Sequence, residues 1–348
     1  MYKISDIVDK LNLGAKLTLE EYELLINERN EELATTLAAL ADCKRREVYG
    51  EDVYIRGLIE ISNYCVNDCL YCGIRRSNKN VDRYRLMPEE ILLCCKQGYE
   101  LGFRTFVMQG GEDPYYSDEI LTKLISDIKS SYPDCAVTLS LGERSKESYM
   151  RLYDAGADRY LLRHETASKE HYCKLHPNTM SFDNRMNCLK ELREIGYQIG
   201  CGFMVSSPYQ TSKELSKELK FIEEFKPDMC GIGPFVAHKD TPFKDEPSGG
   251  CDLTCYLLSI IRIIHPKVLL PATTALGTID PQGREKGLKA GANVVMPNLS
   301  PVGVRKKYEL YDNKICTGEE ASECIECLRK RVEKAGYIIV TARGDVKK

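Results

Sequence analysis

The chain has no run of 18 apolar residues, which excludes a helix that crosses a membrane. Its first 30 residues scatter Asp, Glu and Lys among apolar residues at helical spacing. That stretch has no charged head with an uninterrupted apolar run behind it, so no export signal is read and the expected compartment is the cytoplasm. An excess of one charge is missing too. With 49 Lys+Arg against 52 Asp+Glu the net charge is −3, which gives no broad electrostatic footprint for nucleic acid. Any anion site must then be local. Cysteine, by contrast, is abundant, at 16 in 348 residues. Disulfide frameworks belong to small secreted chains that cannot build a core. A chain of this length buries enough surface without them, so the thiols are read as reduced.

From Val53 onward, short apolar or β-branched runs alternate with amphipathic stretches. Eight such runs are expected as strands: Val53 to Ser62, Arg104 to Gln109, Ala136 to Leu141, Arg159 to His164, Gln198 to Val205, Met229 to Phe235, Val268 to Thr274 and Ala292 to Pro297. Between them the 3.6-residue period marks helices, for example Pro88 to Leu101, with Pro and two Glu in the first turn. Glycines at 102, 156, 196 and 291 suit left-handed helix caps. Eight strands alternating with helices over this length point to an α/β fold, a (β/α)8 TIM barrel with an N-terminal helical extension and a short C-terminal extension. A doubly wound open sheet is the alternative, but no Gly-rich dinucleotide fingerprint follows the first strand. The expected division is a helical cap over residues 1–50, a barrel over 51–330 that includes segment 308–330, and a tail over 331–348.

Directly after the first expected strand comes Cys65-Val-Asn-Asp-Cys69-Leu-Tyr71-Cys72. Three thiolates in eight residues can grip one compact metal centre. A structural zinc site wants four protein ligands, and this loop holds no fourth Cys or His. A four-iron cubane held by three thiolates keeps one iron open for a small molecule. The C-x3-C-x2-C spacing, the aromatic Tyr71 before the last cysteine and the place after strand one resemble the radical S-adenosylmethionine (SAM) superfamily. That resemblance implies a 4Fe-4S cluster on Cys65, Cys69 and Cys72, SAM chelated to the open iron, and reductive cleavage to a 5'-deoxyadenosyl radical. It also implies a cofactor-binding set: Tyr71, Gln109, Gly110 and Gly111 at the end of strand two, Thr138 and Ser140 on strand three, Glu165, and Arg185 facing the methionyl carboxylate. Paired glycines let backbone approach a ligand closely, although a tight turn explains them equally well. On strand four, alternation puts Arg159, Arg163 and Glu165 on one face; an anionic ligand, or an internal Arg–Glu pairing, would balance them.

Longer phrases narrow the resemblance. Asn78-Lys-Asn80, Arg83-Tyr-Arg85, Gly156 to Thr166, Gly231-Ile-Gly-Pro-Phe235, Pro271-Ala-Thr-Thr274 and Ala292 to Asn298 are similar to the HydE family of [FeFe]-hydrogenase maturases over about residues 50–330. This implies that the radical acts on a cysteine-bound iron dicarbonyl cyanide complex. Such a substrate comes from the sister enzyme HydG, and the product passes toward the HydF scaffold, with an external electron donor. Arg159, Arg163, Thr273 and Thr274 are the expected substrate-binding residues, since a guanidinium is a planar anion-binding fork that keeps its charge. Cys316, Cys324 and Cys327 match an accessory iron–sulfur cluster of the two-iron type; zinc or free thiols are the other readings. The remaining ten cysteines are expected to pack in the core. One departure stands out: Ser206-Ser207-Pro208-Tyr209-Gln210 replaces a Gly-rich turn of the relatives, so Tyr209 calls for a backbone shape that tolerates a Cβ. Methylornithine synthase and biotin synthase are the enzyme alternatives, and an iron–sulfur carrier or scaffold is the non-enzyme one.

Overall fold

The computed structural model describes residues 3–315, 317–318 and 325–347. Its strands are β1 (Asp52–Ile55), β2 (Gly57–Ser62), β3 (Thr105–Gly110), β4 (Ala136–Ser140), β5 (Arg159–Leu161), β6 (Gln198–Cys201), β7 (Met204–Val205), β8 (Met229–Cys230), β9 (Gly233–Pro234), β10 (Val294–Val295) and β11 (Ile338–Val340). Parallel pairing runs β2-β3-β4-β5-β6-β8, and β1 lies between β10 and β11. Bridges from Met229 to Leu269 and from Pro271 to Val294 join β8 to β10, and Leu58 to Asn298 joins β2 to the residues after β10. With β10 paired to β1, the parallel pairing completes the circuit of a (β/α)8 barrel.

The seventh expected strand, Val268 to Thr274, survives only as those bridges. Pro271 has no N–H for a ladder, and Thr273 caps a helix that begins at Thr274 and ends at Ile279. The short helix Lys169–Leu175 was not expected either, being too brief for its period to register. Serines cap several helix starts: Ser117, Ser145 and Ser181 each accept a hydrogen bond from a backbone N–H of the first turn. Gly102, Gly156, Gly196 and Gly291 all hold positive φ, as left-handed caps require.

Three N-terminal helices, Ile4–Asn12, Leu19–Asn27 and Glu31–Tyr49, lie against helices Ser212–Phe225 and Cys251–Ile264. Apolar packing is supplemented by Tyr22, whose OH donates to Glu223 at 2.9 Å, and by buried Arg45, which donates to three backbone carbonyls, among them Ala292 O at 3.1 Å. Most buried apolar side chains form one continuous core between helices and barrel. Of the ten cysteines expected there, Cys43 and Cys173 are exposed instead, while seven are buried.

The expected tail begins in the last helix, Ile325–Lys334. The structure adds β11, which pairs with β1 from Asp52 to Tyr54, and a run of residues that closes the barrel floor at the N-terminal ends of the strands. There Thr105 Oγ1 donates to Arg343 O at 2.8 Å, Arg56 Nη2 to Gly344 O at 3.2 Å, and the Val346 N–H to Gln198 at 3.2 Å. The floor is thus shut, and access to the interior lies at the opposite, C-terminal end of the strands. That is where barrel enzymes carry their chemistry.

Candidate active site

A cavity of about 350 Å³ opens at that end. Its lining includes Cys65, Cys69 and Cys72, with Tyr71, Gln109, Gly110, Gly111, Ser140, Glu165 and Arg185. The 65–72 loop is fastened by its backbone: the Val66 N–H donates to Glu112 O at 3.0 Å, Leu70 to Leu175 O at 3.0 Å, and Gly73 to Leu310 O at 2.8 Å. Arg83 clasps both flanks, donating to the carbonyls of Asn63, Ile74, Arg75 and Asn78. Burial raises all three thiols; the neighbouring thiols add to this at Cys69 and Cys72, and Cys72 is pushed up to about 12. Such a set stays protonated until a strong positive charge is placed among it, which is the environment a metal centre supplies.

Among the described residues no three His, Cys, Asp or Glu side chains converge as they would on a single metal ion. The three thiols border a cavity rather than closing on a point, which suits a cluster whose irons take one thiolate each. Gly111 keeps that space open. A Cβ there would lie 2.1 Å from Tyr64 O and 2.8 Å from Cys65 Cβ. Gly111→Ala should therefore displace the loop, costing about 1–3 kcal/mol of stability. Iron content per chain and the melting midpoint of the apoprotein check this together; unchanged values of both would show that the loop gives way freely.

Tyr71 is locked from behind. His176 Nδ1 lies 3.0 Å from Tyr172 O, so it carries the proton; Nε2, 3.1 Å from the Tyr71 hydroxyl, is then the acceptor. Burial keeps this imidazole neutral, with its pKa down at about 3. Across the loop, Arg185 Nε sits 2.7 Å from Glu143 and Nη2 3.8 Å from Glu112. Burial raises the Glu112 carboxyl, against the pull of Arg185. Gly142, at φ 76°, makes room for Glu112, since a Cβ there would fall 2.0 Å from its Cγ.

The other part of the cavity is lined by Arg163, Thr273, Thr274 and Tyr311, with Glu60, Tyr308 and Lys314. Arg163 and Glu165 lie 3.2 Å apart, yet Arg163 Nε and Nη2 and the facing Glu165 Oε2 are buried without an aligned hydrogen bond. Glu165 holds φ at 65°, a costly left-handed conformation for a residue with a Cβ, secured by its N–H to Gly202 O at 3.0 Å. The adjacent His164 pairs with Glu218 at 2.8 Å, both fully buried. Lys314 salt-bridges the buried Glu60, which also accepts from Asn298 Nδ2 at 2.9 Å.

Two expected site residues lie elsewhere. Arg159 is fully buried in the barrel floor, where its guanidinium donates to Asp345 at 2.6 Å, Arg343 O at 2.7 Å and Thr105 at 3.0 Å. Alternation assigns a residue to a face but not to a depth; Arg159 and Arg163 are four residues apart, about 13 Å along a strand. Thr138 pairs with Arg159 in register and is buried away from the cavity lining, its Oγ1 without a partner. Cys316 and Cys324 lie outside the described residues; Cys327, on the helix Ile325–Lys334, is disulfide-bonded, against the expectation of a reduced thiol that ligates a cluster. Tyr209 does not avoid the left-handed region but holds φ at 65°, the residue 57% exposed, so the loop keeps a glycine-like turn under strain. Sequence reasoning missed Glu60, Lys314 and His176. A lone carboxylate inside the otherwise apolar run 57–61 was a usable signal for Glu60, while the other two come from loops with no periodicity.

Strand ends, the cysteine loop and one deep cavity define a class of enzyme. The family model of the radical SAM superfamily matches residues 59–222. The [FeFe] hydrogenase maturase subunit HydE of Thermotoga maritima is 48% identical over 90% of this chain and 88% of its own. The 3-methylornithine synthase of Methanosarcina acetivorans is 29% identical over 94% and 92%. Among solved structures, methylornithine synthase (PylB) superposes with TM-score 0.82 at 25% identity over 96% of this chain and 97% of its own. HydG from Carboxydothermus hydrogenoformans gives 0.80 at 21% over 97% and 79%, a likeness of fold. The chain is a radical SAM enzyme, which implies a 4Fe-4S cluster and SAM. Within that superfamily it belongs to the HydE family of [FeFe]-hydrogenase maturases. No helix among the described residues is long and apolar enough to cross a membrane.

Proposed function

We propose that Cys65, Cys69 and Cys72 hold the 4Fe-4S cluster at the barrel mouth, and that the cavity behind it takes SAM and a cysteine-bound iron dicarbonyl cyanide complex in turn from one wall to the other. When bound, the cluster and SAM supply one electron and a 5'-deoxyadenosyl radical, which acts on the cysteine sulfur of the iron complex. Gln109, Gly110 and Gly111 border the methionyl end with Arg185, and Ser140 and Glu165 border the nucleoside. Arg163, whose Nε and Nη2 lack aligned partners in the protein, orients the anionic substrate together with Thr273 and Thr274. Arg159 and Thr138 take no part. The complex comes from HydG and the product passes toward HydF.

The observation that carries this is the single cavity that reaches the three thiols and the Arg163–Thr273–Thr274 group together. The test is anaerobic SAM consumption by reduced protein with and without the iron complex. Arg163→Ala should raise the KM for the complex by roughly 10–100-fold, the scale of a lost charged contact of 1.5–3 kcal/mol. Cleavage that ignores the complex but responds to lysine would favour a methylornithine synthase activity instead.

A further inference from the structure

The cluster loop has an outer side as well as an inner one. On either side of Cys65, Tyr64 and Val66 are 36% and 44% exposed. Packed beside them is segment 75–85, with five basic residues, Arg75, Arg76, Lys79, Arg83 and Arg85, and one acid, Asp82, in a chain whose net charge is −3.

Not all of that charge is internal to the fold. Arg75 pairs with Asp68 at 2.7 Å, and Arg83 clasps carbonyls as described. Arg85 grips Asp113 through two bonds, of 2.7 and 3.0 Å, while its guanidinium lies 3.8 Å over the Tyr64 ring. Arg76 and Lys79, however, are exposed, and neither side chain has an ion pair or hydrogen bond among the described residues. The nearby acids are occupied: Lys307 covers Asp82 at 2.7 Å, with Lys306 exposed beside it, and Asp240 accepts from Asn80 at 2.8 Å.

This basic face is also connected to the thiols by short steps. The Arg76 N–H donates to Asn67 O at 2.9 Å, and the Asn67 N–H lies 3.4 Å from Cys65 Sγ. Two hydrogen bonds thus link a surface residue to a cysteine sulfur. Tunnelling falls steeply with distance, so this surface offers an outside electron a short route to the cysteine sulfur.

We infer that the face formed by Tyr64, Val66, Arg76, Lys79 and Lys306 docks a small acidic one-electron carrier protein. The inference rests on the reading given above, because a cluster behind the loop must be reduced from outside. One electron leaves the carrier, which is oxidised by one, and the cluster is reduced by one; no bond forms or breaks and no proton is required. Basic residues rimming two exposed apolar side chains suit a brief redox encounter, which needs little area and is steered by charge.

The test compares the holoenzyme with Arg76→Glu/Lys79→Glu, using an acidic bacterial ferredoxin as probe. Three quantities are read: the affinity for oxidised ferredoxin, the rate of cluster reduction by reduced ferredoxin, and SAM cleavage driven by dithionite. At low ionic strength the double variant should bind and be reduced by ferredoxin roughly tenfold or more weakly and slowly, and rising salt should erase the difference. Dithionite-driven cleavage should stay within about twofold, because a small reductant needs no docking face. Lys16→Glu/Lys190→Glu, the same charge change elsewhere on the surface, should leave ferredoxin affinity near wild type. Equal loss with ferredoxin and dithionite, equal loss in the control pair, or no loss at all would overturn the docking face. Absence of dithionite-driven cleavage in the wild type would instead strike the radical reading itself.

Discussion

Cys65→Ser should retain the fold and lose the four-iron absorption band, and with it the formation of 5'-deoxyadenosine. A serine oxygen is a hard ligand that stays protonated where a thiolate would not, so it is a poor exchange in an iron–sulfur site. The loss should exceed roughly 100-fold, the upper end for residues that only support a metal site. The neutral change Cys94→Ser, on a helix well away from the cavity lining, separates cluster loss from general loss of stability, because Cys94 is a buried core residue whose thiol packs rather than ligates. Iron analysis and electronic absorption on reconstituted protein decide the point. Wild-type iron content in Cys65→Ser would remove that residue from the cluster.

The second large effect is on stability and comes from the floor. Arg159 has no exposed surface and is paired with Asp345, whose side chain is 39% exposed. Removing one partner of a fully buried pair costs roughly 3–5 kcal/mol because the other charge is stranded. Solvent around Asp345 reduces this, so Asp345→Ala should cost about 2 kcal/mol and lower the melting midpoint by roughly 5 °C. KM for the iron complex should not change, since neither residue lines the cavity. Burial works against the Asp345 carboxylate, but the hydrogen bond from Arg343 and the charge of Arg159 hold it well below the usual carboxylate range. Its contribution is therefore complete above the unfolded-state value near about pH 4. It is lost as pH falls from there toward the depressed folded value. Acid titrations of stability for wild type and Asp345→Ala should converge at low pH and separate above it. A gap that widened below about pH 4 would contradict this assignment.

Period and punctuation carried much of the architecture. Seven of the eight expected strands contain ladder-paired residues, and helix starts follow their capping serines. What could not be read was depth. Arg159 and Arg163 share a strand and a sign of charge, yet one belongs to the floor and the other to the mouth. The partner that decides this, Asp345, lies 186 residues further along the chain. The same limit hid Lys314, whose partner Glu60 lies 254 residues away. The cysteine loop was legible because its pattern is local, with three thiols within eight residues. His176 was not, because its role exists only where a loop brings it behind Tyr71.

The closed floor imposes an order of assembly. Residues 338–347 are translated after every strand of the barrel, yet Arg56 and Arg159 depend on them for partners in the interior. The cysteine loop leaves the ribosome more than two hundred residues earlier. Until residues 338–347 are in place, β1 has an unpaired edge where β11 belongs, and the two guanidinium groups lack the acceptors that Arg343, Gly344 and Asp345 supply. Sealing the floor is thereby the last step in completing the barrel, and it falls to the segment furthest in sequence from the strands it covers.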